Sequence, residues 1–453
     1  MICLPELWPH QRRGLDMLQA EARRLRKERG PDMGYGILAQ GPTGMGKTRL
    51  GLELASNAVV KGGHVLWLAH RNELIDQVVA RLAKAGWTSV RVVKAGAITG
   101  DPNATITVAS IQTLVARNFT PPATLVIFDE ARHYAAATWA AIAANYMSTV
   151  RVGLDATPGR SDGSDQPLFD VIVPITTVRE LTDAGILVPS VVWAPPQYQS
   201  QLAGRALDKW LNPSPHADSY EPGKPTIVFC RNAADAEQTA AEFRAAGYAF
   251  EAVSYKTPTA KRKTAIDRLR SGELIGLTNC LLFTEGLDVP QLEVVVIERG
   301  VSHLSTWIQM GGRPLRGNQP GKHLAHIIDL HGHVHRYGPL DTEHVWSLDG
   351  EPVRPVDALP SCVQCRKCHA WGAGGQPCSA CGAPLPLPPP PKVKAAALIP
   401  VRSKESPERK EASLRRFIES SRSKGHSPRR ARHIFKGVYG ELPSDAMFRR
   451  AMQ

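Results

Sequence analysis

The chain has 453 residues, enough for roughly three folding units of about 150 residues each, which excludes a small disulfide-stapled peptide. Its 43% hydrophobic and 21% charged residues make a globular composition, and no apolar run approaches the roughly 18 residues of a membrane span, so a membrane protein is excluded. The net charge of +13 sits at one end: from Lys392 onward, 62 residues hold 16 Lys and Arg against 6 Asp and Glu and carry +10. Such a field points to a polyanion partner, by default nucleic acid.

Met1 to Glu6 has neither a basic region followed by an apolar run nor a small-residue cleavage site, so a cytoplasmic location is expected. Short β-rich apolar runs follow at Gly36–Ala39, Val65–Ala69, Thr105–Ala109, Leu125–Phe128 and Val150–Leu154, alternating with helical patterns. That alternation predicts a parallel sheet with helices on both faces. After a Pro-rich stretch near Pro195 to Pro225, a second series at Thr226–Phe229, Phe250–Val253, Leu274–Leu277, Val294–Ile297 and Leu324–Ile328 predicts a second α/β unit.

Between the first strand and its helix stands Gly41-Pro42-Thr43-Gly44-Met45-Gly46-Lys47-Thr48, which matches G-x-x-x-x-G-K-[ST] in the right context. Gly41, Thr43, Gly44 and Gly46 belong to a loop whose backbone N–H groups cradle phosphate at a helix N-terminus. Lys47 reaches the β/γ-phosphates of ATP and Thr48 binds Mg²⁺. Such a loop needs a second acidic centre, and Leu125-Val126-Ile127-Phe128 ends in Asp129-Glu130. Asp129 can hold Mg²⁺ through water, and Glu130 can orient and deprotonate the attacking water.

With these residues in place, the chain resembles a superfamily-two helicase of the DEAD/DEAH-box-like, type III restriction kind over most of residues 4 to 340. The resemblance implies that Gln11, in Leu7-Trp8-Pro9-His10-Gln11, reads adenine, and that Ala69 to Leu74 and Ser110 to Leu114 touch the nucleic-acid backbone. Asp129-Glu130-Ala131-Arg132 resembles the Asp-Glu-Ala-His box, with Arg132 in place of histidine and His133 one position later. Gly153-Leu154-Asp155-Ala156-Thr157-Pro158 resembles Gly-Leu-Thr-Ala-Thr-Pro, with Asp155 in place of a hydroxyl residue. Both departures fall where hydrolysis is coupled to movement.

In the second unit, Ile227 to Arg231 resembles the strand that opens the second lobe. Thr284 to Pro290, with Gly286 and Asp288, resembles the segment that senses nucleotide and strand together. Gln309-Met310-Gly311-Gly312-Arg313-Pro314-Leu315-Arg316 is similar to the Gln-x-x-Gly-Arg-x-x-Arg helix, on which Arg313 and Arg316 would share one face. Their permanently charged planar forks suit the charge that spreads over a transferring phosphoryl group.

Cys362, Cys365, Cys368, Cys378 and Cys381 make C-x-x-C pairs separated by nine residues, a zinc ribbon. Cys365, Cys368, Cys378 and Cys381 are the tighter ligand set, with Cys362 either replacing Cys368 or a spare thiol. His331, His333 and His335 alternate without partners to complete a metal shell, and a structural role is expected of them.

The fold class expected is α/β: two tandem RecA-like lobes (1–190 and 191–345), a zinc ribbon (361–383), a proline linker (384–391) and a basic nucleic-acid-binding tail (392–453) with short helices near Ala412–Glu419 and Pro428–Lys436. A chain cut before Ser361 is expected to fold and keep basal ATPase. The function expected is an ATP-dependent DNA helicase or translocase on single-stranded or forked DNA, of the phage or prophage replication and recombination kind, with replication or recombination proteins as partners. The rival readings are an RNA-remodelling ATPase and a DNA-binding adaptor whose motor Arg132 and Asp155 have impaired.

Overall fold

The computed structural model describes residues 4–30, 33–135, 137–159, 166–214, 220–284, 286–287, 289–317, 319–349, 354–355, 362–386, 407–423, 427–439 and 442–452. Two compact units divide the chain, Met1–Pro388 and Pro389–Gln453.

In the first unit the described strands are β1 (Tyr35–Gln40), β2 (Val65–Ala69), β3 (Arg91–Lys94), β4 (Ala97–Gly100), β5 (Ile106–Ser110), β6 (Leu125–Asp129), β7 (Val150–Asp155) and β8 (Val171–Pro174). They form one sheet in the order β4-β3-β5-β2-β6-β7-β1-β8, parallel except for the β3–β4 pair. The runs Val65–Ala69, Ile106–Ser110 and Leu125–Asp129 are buried at every position, as strands covered on both faces must be. The order matters for chemistry. β7 lies between β1, which feeds the glycine loop, and β6, which ends in Asp129; Asp129 is in register with Leu154, and Gln40 with Asp155. All three strands therefore deliver their C-terminal ends to one edge, where ligands of parallel sheets bind.

The second sheet contains β9 (Ser190–Trp193), β10 (Thr226–Cys230), β11 (Phe250–Val253), β12 (Gly276–Asn279), β13 (Val294–Glu298) and β14 (Ala325–Asp329), in the order β11-β12-β10-β13-β14-β9 and all parallel. A short antiparallel pair, β15 (His344–Val345) and β16 (Arg354–Pro355), stands apart. The cysteine segment supplies β17 (Cys362–Gln364) and β18 (Trp371–Ala373), and β18 pairs antiparallel with β9 through Trp371 and Val192. The ribbon thus extends the second sheet. Val363, Cys365, Ala370 and Leu385 share one apolar core with Val191 and Trp193, Trp371 Nε1 donates to the Ala194 carbonyl at 2.8 Å, and Ser379 Oγ donates to that of Ser190 at 2.8 Å. The cut before Ser361, expected to leave a folding chain, would uncover β9. Pro384 to Pro386 also belong to the ribbon, with Pro384 bridged to Pro377 and Leu385 buried; the rest of the expected proline linker lies outside the described residues.

In the second unit the described residues form helices Pro407–Ser423, Arg430–Tyr439 and Asp445–Met452. Leu414, Ile418, Ala431, Phe435 and Ala451 make a small apolar core there. The basic tail is therefore a miniature helical fold, and its third helix is one that the sequence pattern does not announce.

Candidate active site

The glycine loop connects β1 to the helix Lys47–Val60. Gly46 has φ +84°, a left-handed conformation that disfavours a Cβ, and a side chain there would run into the amide of Gln11. Gln11 sits in the first turn of the helix Pro9–Arg29, where Pro9 is preset for helix entry. Its Oε1 accepts from Trp8 N at 3.0 Å, while its Nε2 donates to the Met45 carbonyl at 2.9 Å. His10 Nε2 also meets that carbonyl at 2.8 Å. Gln11 is 2% exposed and braces the loop from beneath. The indole of Trp8, 41% exposed, packs beside His10 with ring centroids 5.7 Å apart; nothing in the motif singles it out.

Lys47 Nζ donates to the loop carbonyls of Gly41 and Pro42 at 2.9 and 3.2 Å. Burial pushes its pKa down, and Glu130, Asp155 and Asp129 pull the other way. Thr48 begins the same helix, half-buried. Asp129 is 8% exposed; burial, and then the neighbouring Glu130, push its carboxyl up to about 7. Lys47 opposes that shift. A divalent cation in this pocket would favour the ionised carboxylate. Glu130 adopts φ +52°, unusual for a residue with a side chain.

The two departures from the family pattern touch each other. Arg132 Nη1 donates to Glu130 Oε2 at 2.7 Å and to Asp155 Oδ1 at 2.6 Å, and Arg132 N donates to Asp155 Oδ2 at 2.8 Å. His133 lies against His70, ring centroids 4.4 Å apart.

From the second sheet, Gln309 Nε2 reaches Thr157 Oγ1 at 3.4 Å, which brings the end of β7 together with the helix Leu304–Gly311. The expected shared helical face for Arg313 and Arg316 is corrected. The α-helix ends at Gly311, and Arg313–Leu315 is a 3₁₀ turn, because Pro314 cannot continue α-helical bonding. Arg313 donates to the carbonyls of Leu287, at 3.2 Å, and Thr284. Arg316 instead bridges Leu187, and its stem passes Gly44 of the loop. Burial, and then the charges of Arg81 and Arg270, hold Arg316 down to about 10, a concentration of positive charge suited to an anion. The Gly286 carbonyl accepts from Gln77 Nε2 at 2.7 Å, and Asp288 lies outside the described residues.

Beside this edge a cleft of about 770 Å³ runs between the two sheets, lined by His70, Arg71, Gln112, Arg262, Lys263 and Arg270 among others. His70, Arg71 and Gln112 come from the segments singled out in the sequence. Arg262, Lys263 and Arg270 come from the helix Thr259–Ser271, whose run of basic residues was the available signal.

Cys365, Cys368, Cys378 and Cys381 place their sulfurs within 4.8 Å of one another. Both knuckles have the same build: His369 and Gly382 adopt φ +62° and +68°, and their N–H groups donate to the Cys365 and Cys378 carbonyls at 2.9 and 2.8 Å. At Cys365 burial is the largest influence and opposes the thiolate, yet the N–H groups of Cys368 and Lys367 and the thiols of Cys381 and Cys368 together bring the thiol down to about 7. The four cysteines can hold a metal ion, and soft thiolates at this spacing fit tetrahedral zinc. His333, by contrast, is satisfied within the protein: Nδ1 meets Asp329 Oδ1 at 2.7 Å and Nε2 accepts from Val301 N at 2.9 Å.

The sequence matches the family described as type III restriction enzyme, res subunit, over residues 5–160 and the helicase conserved C-terminal domain over residues 205–318. The chain belongs to the superfamily-two helicases, which couple ATP hydrolysis to work on nucleic acid. It is similar to a 51.5 kDa protein of Lactococcus phage (isolate 7-9), 28% identical over 364 residues that span 76% of this chain and 77% of the phage protein. It is also 28% identical over 300 residues to a Saccharomyces cerevisiae protein named as the ATP-dependent helicase IRC3, spanning 59% of this chain but 43% of that protein. Among solved structures, the DNA-bound type ISP restriction-modification enzyme LlaBIII superposes with a TM-score of 0.54 at 17% identity, over 72% of this chain and 28% of that one. A fragment named as an HsdR subunit of a type I restriction enzyme from Vibrio vulnificus gives 0.54 at 20% identity, over 76% and 66%. These likenesses show the fold. Among the described residues no helix is long and apolar enough to cross a membrane.

Proposed function

We propose that this chain is a DNA translocase or helicase driven by ATP, serving a replication or recombination process of the phage or prophage kind. The observation that carries the reading is the meeting of both lobes at the end of β7, where Gln309 reaches Thr157 and Arg316 passes Gly44. ATP bound by Lys47 and the glycine loop would lie under groups from both lobes, so its hydrolysis would change how they close on each other. The γ-phosphorus is attacked by water that gives its proton to Glu130 while the bond to ADP breaks. Mg²⁺, held by Thr48 and Asp129, would supply charge neutralisation at the phosphates. Zn²⁺ on the four cysteines would supply a structural crosslink. The Arg-rich cleft and the +10 tail are the proposed contacts with DNA phosphates.

Pairing between Arg132 and Asp155 weighs against the impaired-motor reading, because the two changes compensate each other in charge. The test compares turnover with single-stranded DNA, forked duplex and RNA. DNA should stimulate most, and stimulation by RNA alone would assign the chain to RNA remodelling. Lys47→Ala should lower turnover by about 10² or more. Glu130→Gln should bind ATP yet hydrolyse it at least about 10²-fold more slowly, trapping the DNA-bound state. Normal hydrolysis by either variant refutes the site.

A further inference from the structure

We infer that Arg132 and Asp155 act as one charged positioning relay, which sets the catalytic base Glu130 according to the state of the second lobe and replaces, as a pair, the histidine and hydroxyl residue of the family pattern. This inference rests on the ATPase reading above. Its chain of contacts is continuous. Glu130 Oε2 and Asp155 Oδ1 share the same guanidinium nitrogen of Arg132, at 2.7 and 2.6 Å. Asp155 Oδ1 also accepts from Thr157 N at 2.8 Å, and Thr157 Oγ1 accepts from Gln309 of the second lobe at 3.4 Å. In the other direction, the backbone carbonyl of Asp155 accepts from Gly41 N at 3.1 Å, so the same residue is tied to the phosphate loop.

The sheet makes this possible, because β7 separates β6 from β1 and brings Asp155 between the acidic pair and the glycine loop. Asp155 is 0% exposed and Arg132 9%. A polar group so buried needs its hydrogen-bonding atoms satisfied; Asp155 has three donors on two oxygens.

Each partner alone is harmful. An arginine facing Glu130 without Asp155 would give its undivided charge to the base and hold it too tightly to take the proton from water. Without Arg132, Asp155 would be a buried charge lacking its cation, pulling on Thr157 and the loop. Together, Asp155 takes a share of the nitrogen that also bonds Glu130 Oε2, at 2.6 against 2.7 Å, so the base is oriented without being the sole partner of the arginine. Glu130 at φ +52° shows that its backbone is held against its own preference at this point, as constrained catalytic residues are. Hydrogen bonds of the two side chains run to each other, to the base Glu130 and to Thr157, and the effect assigned to the pair is on the chemical step and on coupling.

The experiment uses the full chain: wild type, Arg132→His, Asp155→Thr, the double variant carrying both, and Asp155→Asn, which keeps the shape of Asp155 without its charge. DNA-stimulated kcat, KM for ATP and base pairs unwound per ATP are measured, with thermal melting to verify folding. Each single change should lower kcat by about tenfold or more, with KM moved less than about threefold. The double variant should return kcat and unwinding per ATP to within about threefold of wild type, the non-additivity expected of groups in direct contact. Wild-type kcat and coupling in a single variant, or a double variant no better than its worse single, overturns the relay. If Asp155→Thr fails to fold, Asp155→Asn decides: a folded Asn variant with wild-type kcat and coupling overturns the inference, and a tenfold loss supports it. A wild-type chain without nucleic-acid-stimulated ATPase would defeat the ATPase reading itself, whereas an active wild type with unaffected single variants defeats the relay alone.

Discussion

At the scale of single residues, pH should act through His326. The indole N–H of Trp193 donates to its Nδ1 at 3.2 Å, and burial, assisted by Lys224, pushes its pKa down to about 4. The folded state therefore prefers the neutral ring. Above the unfolded value of about 6.5 nothing is lost; as pH falls below it the unfolded chain gains a proton that the folded chain resists, and stability declines until about pH 4. The full loss is on the order of 3 kcal/mol, of which about 2 kcal/mol appears by pH 5. Denaturant midpoints at pH 7.5 and 5.0 compared between wild type and His326→Asn check this, because the raised carboxyl of Asp129 acts with the opposite sign in both proteins and the difference between them isolates His326. The same scale shows where sequence reasoning stops. Arg132 and Asp155 each stood out from a motif, but they lie 23 positions apart, and only the adjacency of β6 and β7 makes them a pair. Gln11 was legible as a site residue because of its motif, but its brace on the Met45 carbonyl was not, since that bond depends on where the helix Pro9–Arg29 lands.

Among the elements, strands with an apolar run were the most legible: Val65–Ala69 and Phe250–Val253 coincide with their runs in the sequence. Arg91–Lys94, Ala97–Gly100 and Ser190–Trp193 are short, and the first two mix polar residues with few apolar ones, so they give no run to recognise. The arginine turn was misjudged because a spacing of three suggests an α-helical face, whereas Pro314 stands in a 3₁₀ turn over Arg313–Leu315 and Arg316 follows it in extended backbone. The ribbon's place beside β9 was invisible, since pairing through Trp371 and Val192 leaves no local signature. Trp371→Ala should remove the bond to the Ala194 carbonyl and the edge contact with His335, ring centroids 4.7 Å apart. The expected cost is about 2–3 kcal/mol, read as a shift in the denaturant midpoint. Metal chelation should lower the melting temperature and ATPase together, because knuckles and lobe share one core. A chelated protein with unchanged melting and turnover would show the ribbon to be thermally independent.

At the scale of the whole molecule, the division after Pro388 marks the place for truncation, rather than Ser361. A chain ending there keeps the catalytic residues, both sheets and the four cysteines of the candidate metal site. It should retain basal ATPase while binding DNA more weakly, with a salt slope shallower by about 0.7 to 0.9 for each phosphate that the tail no longer neutralises. Titrations of both chains against forked DNA at two salt concentrations measure this, and equal slopes would remove the tail from DNA binding.

The antiparallel join between β18 and β9 also bears on solubility. Ser190–Trp193 would otherwise be the open border of the parallel strands of its sheet, carrying the sequence Ser-Val-Val-Trp. Unpaired N–H and C=O groups along such a border invite strands from other chains. The cysteine knuckles occupy that border, and the metal that would hold them folded is in effect a guard against self-association. Zinc starvation would then show itself as aggregated protein, even where ATP and DNA are plentiful.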